Sequence, residues 1–146
     1  MKPKLIVNTN RIIAALIRDS VSRKLMYHAD LEFLGINFSM KEIEKHRSYI
    51  IEKAKIDPET FEKLLEQITR RVTFIMDELI YLHIEEANKI MFTIDPDDVP
   101  FIAAALATGA DIWSDDPHFM KQRKIRIWKT ADLTKWFDKY DQSSYF

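Results

Sequence analysis

Short apolar runs alternate along this chain with segments whose apolar residues recur every three or four positions. The first run, Leu5-Ile6-Val7, is continuous, as is typical of a strand buried on both faces, and polar residues follow it directly. From Arg11 to about Arg18 the apolar residues then repeat at helical spacing, with Asn10 positioned to cap the start. The pattern therefore predicts a buried strand followed by an amphipathic helix.

The same alternation continues through the first half of the chain. It predicts a short helix over residues 21–28 and a strand over residues 31–36. Ser39-Met40-Lys41-Glu42 has the form of a capping box, which predicts a helix from Ser39 to about Ala54. Asp57 and Pro58 begin another helix, because aspartate caps well and proline fits the first helical turn.

The second half of the chain adds further strands and helices. Residues 72–82 are ambiguous between strand and helix, and the later predictions are helices over 84–91, 98–109 and 131–139 and strands over 110–114 and 124–128. Strands that alternate with helices predict a three-layer α/β/α fold with a central, mainly parallel sheet. Because no linker or repeat interrupts the pattern, we expect a single domain over residues 1–146.

Composition excludes several classes of function. The 146 residues include no Cys and only 2 Gly. The lack of Cys excludes disulfides, thiolate zinc sites and cysteine nucleophiles, and favours a cytoplasmic protein. Gly35 is interpreted as lying near a turn and Gly109 as ending a helix, so no Gly-rich phosphate loop is present. No apolar stretch approaches the ~20 residues that a membrane span requires.

Charge is distributed unevenly although the formal net charge is only -1. Residues 90–120 contain no Lys or Arg but contain Asp95, Asp97, Asp98, Asp111, Asp115 and Asp116. Asp98 begins a predicted helix, and Asn8 and Asp116 each follow a predicted strand, where side chains line the ligand crevice of an open α/β sheet. Clustered carboxylates repel one another unless a cation compensates them, so this pattern favours an oxygen-liganded Mg²⁺ or Mn²⁺ site.

Four segments carry these polar residues in a recognisable order: Val7-Asn8-Thr9-Asn10, Lys41-Glu42-Ile43-Glu44-Lys45-His46, residues 98–109 and residues 113–119. In order and spacing they resemble the PIN-domain ribonucleases, many of which are VapC-type toxins of toxin–antitoxin pairs. That family has an Asp after the first strand, a Glu at the start of a middle helix, an Asp opening an Ala-rich helix and Thr/Ser-x-Asp after the next strand. The block from Asp98 to Phe119 is the most distinctive match, and the resemblance spans nearly the whole chain.

The resemblance implies a site and an activity. It implies a Mg²⁺ or Mn²⁺ ion held by Glu42, Asp98 and Asp116, with Asn10 and Ser114 as neighbouring polar groups. It further implies an endoribonuclease that cleaves RNA, forms a homodimer and is inhibited by a protein antitoxin. Asn8 departs from the pattern, because the family has Asp there. Two hypotheses therefore stay open: a nuclease weakened by Asn8, natural or substituted, and an inactive PIN-like module that binds RNA or protein.

Each candidate residue also has a purely structural interpretation. Glu42 is equally well explained as the capping-box partner of Ser39, and Asp97 competes with Asp98 for the helix cap. The four histidines show no metal-binding spacing and are interpreted as surface or core residues. The basic residues that follow the acidic block either contact RNA phosphates or form a solvated strand edge; those we assign to RNA are Lys121, Arg123 and Lys124.

Overall fold

A five-stranded parallel sheet lies at the centre of the protein, which a computed structural model describes over residues 2–18 and 20–144. The strands are β1 (Lys4–Val7), β2 (Glu32–Ile36), β3 (Val72–Ile75), β4 (Asp111–Trp113) and β5 (Ile127–Trp128). Their order is β3-β2-β1-β4-β5, and every pair is parallel. The chain extends the sheet on one side of β1 and then on the other, so the topological switch point lies between β1 and β4.

Helices cover both faces of this sheet. They are α1 (Thr9–Ile17), α2 (Val21–Met26), α3 (Asn37–Lys45), α4 (Arg47–Ala54), α5 (Pro58–Thr69), α6 (Asp77–Tyr81), α7 (Ile84–Met91), α8 (Val99–Thr108) and α9 (Thr130–Ser144). Leu5 and Val7 of β1 point into a core shared with α1 and α5, and Ile6 points into a second core shared with α7 and α8. The predicted three-layer α/β/α fold is confirmed. Within the described residues, every helix is too short or too polar to span a bilayer.

Several local predictions need correction. The ambiguous segment 72–82 contains both elements, β3 and then α6. Gly35 lies inside β2 rather than near a turn. Glycine is needed there because a Cβ would come 2.7 Å from Cγ1 of Val72 on the adjacent strand. The strand predicted over 124–128 is confined to β5, because the Gln122 side chain binds the backbone N–H groups of Lys124 and Ile125 in place of a neighbouring strand.

Two predicted helix caps are also wrong. The capping box at Ser39 does not form, because α3 begins at Asn37 directly after β2 and places Ser39 inside the helix. The cap of α1 is Asn8 rather than Asn10. The first difference leaves Glu42 without a capping role, and the second gives one to Asn8.

Candidate metal centre

Asn8 lies at the carboxyl end of β1, next to the end of β4. Its backbone N–H donates to the carbonyl oxygen of Trp113 at 3.1 Å, which continues the parallel pairing of Val7 with Trp113. The Asn8 side chain is buried, and its Oδ1 accepts a hydrogen bond from the backbone N–H of Asn10 at 2.9 Å. Asn10 contributes this backbone group, while its side chain is exposed. The residue at the switch point of the sheet is therefore Asn8, whose side-chain amide caps α1.

Glu42 reaches the same end of β1 from α3. Its Oε1 accepts a hydrogen bond from the hydroxyl of Thr9 at 2.6 Å. The Thr9 hydroxyl lies 2.8 Å from that of Ser39, so when Thr9 donates to Glu42 it accepts from Ser39. Thr9 and Ser39 are both buried. This chain of hydroxyls orients one oxygen of the Glu42 carboxylate and leaves the other for a different partner.

The turn after β4 separates the two neighbouring aspartates of the acidic block. Ser114 is buried, and its Oγ accepts a hydrogen bond from the backbone N–H of Asp116 at 3.0 Å. Asp115 points away from Asp116: it pairs with Arg11 at 2.8 Å and accepts hydrogen bonds from the backbone N–H and the hydroxyl of Thr130, each at 2.7 Å. Asp115 therefore anchors the start of α9, and Asp116 is the one that faces other carboxylates.

Four side chains converge beside this turn: Asp95, Asp98, Asp116 and His118. Each offers one ligand atom, and these atoms all lie within 4.8 Å of one another. His118 Nδ1 lies 2.9 Å from Asp95 Oδ2 and 3.6 Å from Asp116 Oδ1. Asp95 precedes a single turn of 3-10 helix, Pro96–Asp98, which brings Asp98 to the start of α8. We call these four residues the acidic cluster.

Asp98 is the buried member of the acidic cluster, with only 7% of its surface exposed. Its Oδ2 is buried and has no hydrogen-bond partner among the described residues. Burial, with Asp95 and Asp116 nearby, raises the pKa of Asp98 from 3.8 to about 7, and His118 opposes the shift. A buried, unpartnered carboxylate oxygen is costly, so one that persists beside two other carboxylates fits a cation.

The ligand spacing of the acidic cluster also fits a small divalent cation. An octahedral shell with ligands at about 2.1 Å places those ligands about 3.0 Å or about 4.2 Å from one another. The distances from His118 Nδ1 to Asp95 and Asp116, 2.9 Å and 3.6 Å, and the 4.8 Å limit for the whole set are of the same order as these values. The acidic cluster therefore has the donor atoms and the size for one divalent cation.

The structure brings together some of the residues predicted from sequence. Asp98 and Asp116 lie in one cluster, and their neighbours Asp97 and Asp115 do not belong to it. Glu42 is outside this group of four and contacts Thr9 instead. Asp95 and His118 were missed. The available signal was their position, three residues before Asp98 and two residues after Asp116, in a window without Lys or Arg.

The predicted RNA-binding residues lie just beyond the acidic cluster. Lys121 ends the 3-10 segment Pro117–Lys121 that carries His118, and Arg123 and Lys124 follow it. All three are exposed, and none forms an ion pair with any other residue that the structure describes. Together with Lys89 of α7 they line one shallow surface depression. We call Lys121, Arg123 and Lys124 the basic strip; it follows the acidic cluster in the chain and forms no ion pair with the carboxylates of that cluster.

The fold and this centre define an α/β protein with a carboxylate-rich site at the switch point of a parallel sheet. The chain belongs to the PIN domain family, whose sequence profile matches residues 6–136. Among solved structures it is similar to a chain in the crystal structure of VapBC2 from Rickettsia felis bound to a DNA fragment from their promoter. That match has a TM-score of 0.64 and 14% sequence identity and covers 86% of this chain and 98% of the other.

The comparison with curated proteins finds no match. The resemblance to the PIN family drawn from the sequence is nevertheless confirmed, since the profile covers both Asn8 and the whole block from Asp98 to Phe119.

Proposed function

We propose that this protein is a metal-dependent endoribonuclease that cleaves RNA phosphodiester bonds with Mg²⁺ or Mn²⁺. The observation that carries the proposal is the buried, unpartnered Oδ2 of Asp98, which lies in a cluster of carboxylates at the switch point of a PIN-domain sheet. A bound cation supplies two things in such a site: it lowers the pKa of a water molecule, and it stabilises charge on the scissile phosphate.

The residues of the chain divide the remaining tasks. Asp98 and Asp116 hold the cation, and Ser114 orients Asp116 through the backbone hydrogen bond described above. Thr9 holds Glu42 near the carboxyl end of β1 by binding one carboxylate oxygen, and the other oxygen is the one assigned to the cation. Asn8 and Asn10 fix the start of α1 beside the site, through the hydrogen bond from the Asn10 N–H to Asn8 Oδ1. In this proposal the metal ligands are Glu42, Asp98 and Asp116.

The partners follow from family membership. The similarity to a VapBC2 chain supports the role of toxin in a toxin–antitoxin pair with a protein antitoxin. The homodimer rests only on the sequence resemblance to the PIN-domain ribonucleases. RNA as substrate supports a cytoplasmic site of action. The basic strip of Lys121, Arg123 and Lys124 supplies the attraction that a chain with a net charge of -1 otherwise lacks for a polyanion.

We expect replacement of all three basic residues by Ala to weaken RNA binding and to lower its dependence on salt. Each lost phosphate contact removes about 0.7 from the slope of log K against log salt for a single strand, so three contacts remove about 2. The measurement is RNA affinity across a series of salt concentrations. The control is Ala at Lys24, Lys53 and Lys63, exposed lysines on helices that pack against the opposite face of the sheet. An unchanged slope in the test variant would assign the strip to solubility alone.

The nuclease proposal is tested by comparing substitutions of Asp116, which lies in the acidic cluster, and of its neighbour Asp115, which lies outside it. In an Asn8→Asp background, which restores the family's residue, we expect Asp116→Asn to lower Mn²⁺-dependent RNA cleavage at least about a hundredfold, since it removes a charged ligand. Asp115→Asn is the matched control: it keeps an oxygen for the Thr130 N–H and lies outside the cluster. Equal loss in both variants, or no loss in either, would contradict the proposal.

A second candidate function is favoured by one residue. Asn8 stands where the family has Asp, and its Oδ1 is already engaged in the α1 cap. This supports a PIN-like module that binds RNA or protein without cleaving RNA. The two candidates differ in one result: a binding module shows no metal-dependent cleavage either as the unmodified chain or with Asn8→Asp.

A further inference from the structure

Two members of the acidic cluster, Asp95 and His118, lie outside the pattern by which the site was predicted. His118 contacts the acidic cluster through its backbone and through its ring. Its backbone N–H donates to Asp116 Oδ1 at 2.9 Å, and its Nδ1 lies 2.9 Å from Asp95 Oδ2. The ring therefore faces the carboxylates that surround the unpartnered oxygen of Asp98, while 43% of the side chain remains exposed.

The ligand set that results differs from an all-oxygen site. Three carboxylates and one ring nitrogen lie within the 4.8 Å limit of the cluster. Asp95 also supplies a carboxylate in a chain that has Asn8 where the family has Asp. Imidazole nitrogen suits transition metals, whereas Mg²⁺ prefers oxygen ligands and keeps several waters.

We propose that His118 binds the cation through Nδ1, with Asp95 as an additional carboxylate ligand, and that His118 gives the site a preference for Mn²⁺ over Mg²⁺. The inference rests on the proposed metal site and deepens it. It assigns His118 the role of specificity-determining ligand. The competing explanation is a structural one, in which the ring only donates a hydrogen bond to Asp95.

The test is metal binding by the full chain, measured without RNA. Mn²⁺ is titrated into metal-free protein and followed by electron paramagnetic resonance, and Mg²⁺ affinity is obtained by competition. Electron spin-echo measurements on the bound Mn²⁺ then report whether a nitrogen nucleus is directly attached. We expect one Mn²⁺ site with nitrogen modulation in the unmodified chain.

We expect His118→Gln to remove the nitrogen modulation and to weaken Mn²⁺ binding about ten- to a hundredfold, while Mg²⁺ affinity changes little. Glutamine retains a hydrogen-bond donor for Asp95 and offers only oxygen to a metal, so a structural role for His118 predicts no spectroscopic change. The control is His83→Gln, at a histidine outside the cluster, which keeps both the modulation and the affinity.

Three results would overturn the inference: no Mn²⁺ binding, Mn²⁺ binding without nitrogen modulation, or modulation that survives His118→Gln. RNA cleavage by the same preparations separates this inference from the nuclease proposal. Cleavage without nitrogen modulation leaves the nuclease and refutes the His118 ligand. Modulation that His118→Gln removes, without cleavage by the Asn8→Asp form, leaves the metal site and refutes the nuclease.

Discussion

We expect replacement of Asp98 by Asn to raise the melting temperature of the metal-free protein at pH 8 and to remove the stabilisation by Mn²⁺ that we expect for the unmodified chain. The pKa of Asp98 is raised to about 7 in the folded state by burial and by Asp95 and Asp116, against 3.8 for the free side chain. The stability contributed by the bound proton is therefore complete below about pH 4 and is lost as the pH rises toward 7. Above that pH the ionised group costs up to about 4 kcal/mol.

Asparagine removes that cost because it is neutral at every pH and has nearly the same shape. If Asp98→Asn recovers about half of that cost, the gain of ~2 kcal/mol corresponds to an increase of roughly 4 to 8 °C in a chain of this size. The measurement is thermal unfolding between pH 4 and pH 8, with and without Mn²⁺. Asp97→Asn, at the exposed neighbour, is the control and leaves both the pH dependence and the Mn²⁺ effect intact. An Asp98→Asn protein that Mn²⁺ still stabilises as strongly would exclude Asp98 as a ligand.

We expect replacement of Asn8 by Asp to raise Mn²⁺-dependent RNA cleavage about ten- to a hundredfold. Oδ1 of Asn8 accepts the capping hydrogen bond from Asn10, so the other terminal atom is an amide nitrogen, which does not bind cations. Aspartate keeps the cap and puts a charged oxygen in its place. Unit charges ~4 Å apart interact by about 4 kcal/mol at an effective dielectric of ~20, and a fraction of ~1.4 to 2.8 kcal/mol gives this increase in rate.

We expect the same substitution to lower the stability of the metal-free protein, because it places a negative charge on a buried side chain. Activity and metal-free stability therefore move in opposite directions. Both are measured on the same preparations, as turnover of a structured RNA and as melting temperature in EDTA. The control is Asn88→Asp, which makes the same change of charge at an exposed position of α7. Equal cleavage by the unmodified chain and the Asn8→Asp form would show that residue 8 does not serve the metal.

Local sequence signals predict much of the fold because they act over a few residues. The continuous apolar run of β1, the Asp57 cap with Pro58 and the helix that ends at Gly109 all appear where the pattern places them. The failures arise where tertiary contacts prevail. Gly35 is required by the approach of β3 to β2, and the Gln122 side chain replaces a strand partner that the alternating pattern predicts.

The candidate site is predictable only in part for the same reason. Asp98 and Asp116 can be placed at one edge of the sheet from sequence alone, because side chains near the carboxyl ends of parallel strands line the ligand crevice. Both positions depend only on local element boundaries. The choice of Asp116 over Asp115 depends on Arg11 and Thr130, which are distant in the chain. Asp95 and His118 meet across 23 residues, and no periodicity encodes that contact.

Anomalous diffraction from crystals containing Mn²⁺ tests most directly whether the buried oxygen of Asp98 is a cation ligand. We expect one strong anomalous peak about 2.2 Å from Oδ2 of Asp98 and within bonding distance of Asp116. A crystal saturated with Mn²⁺ that shows no peak at Asp98, or a peak only at other carboxylates, would show that Asp98 does not bind the cation.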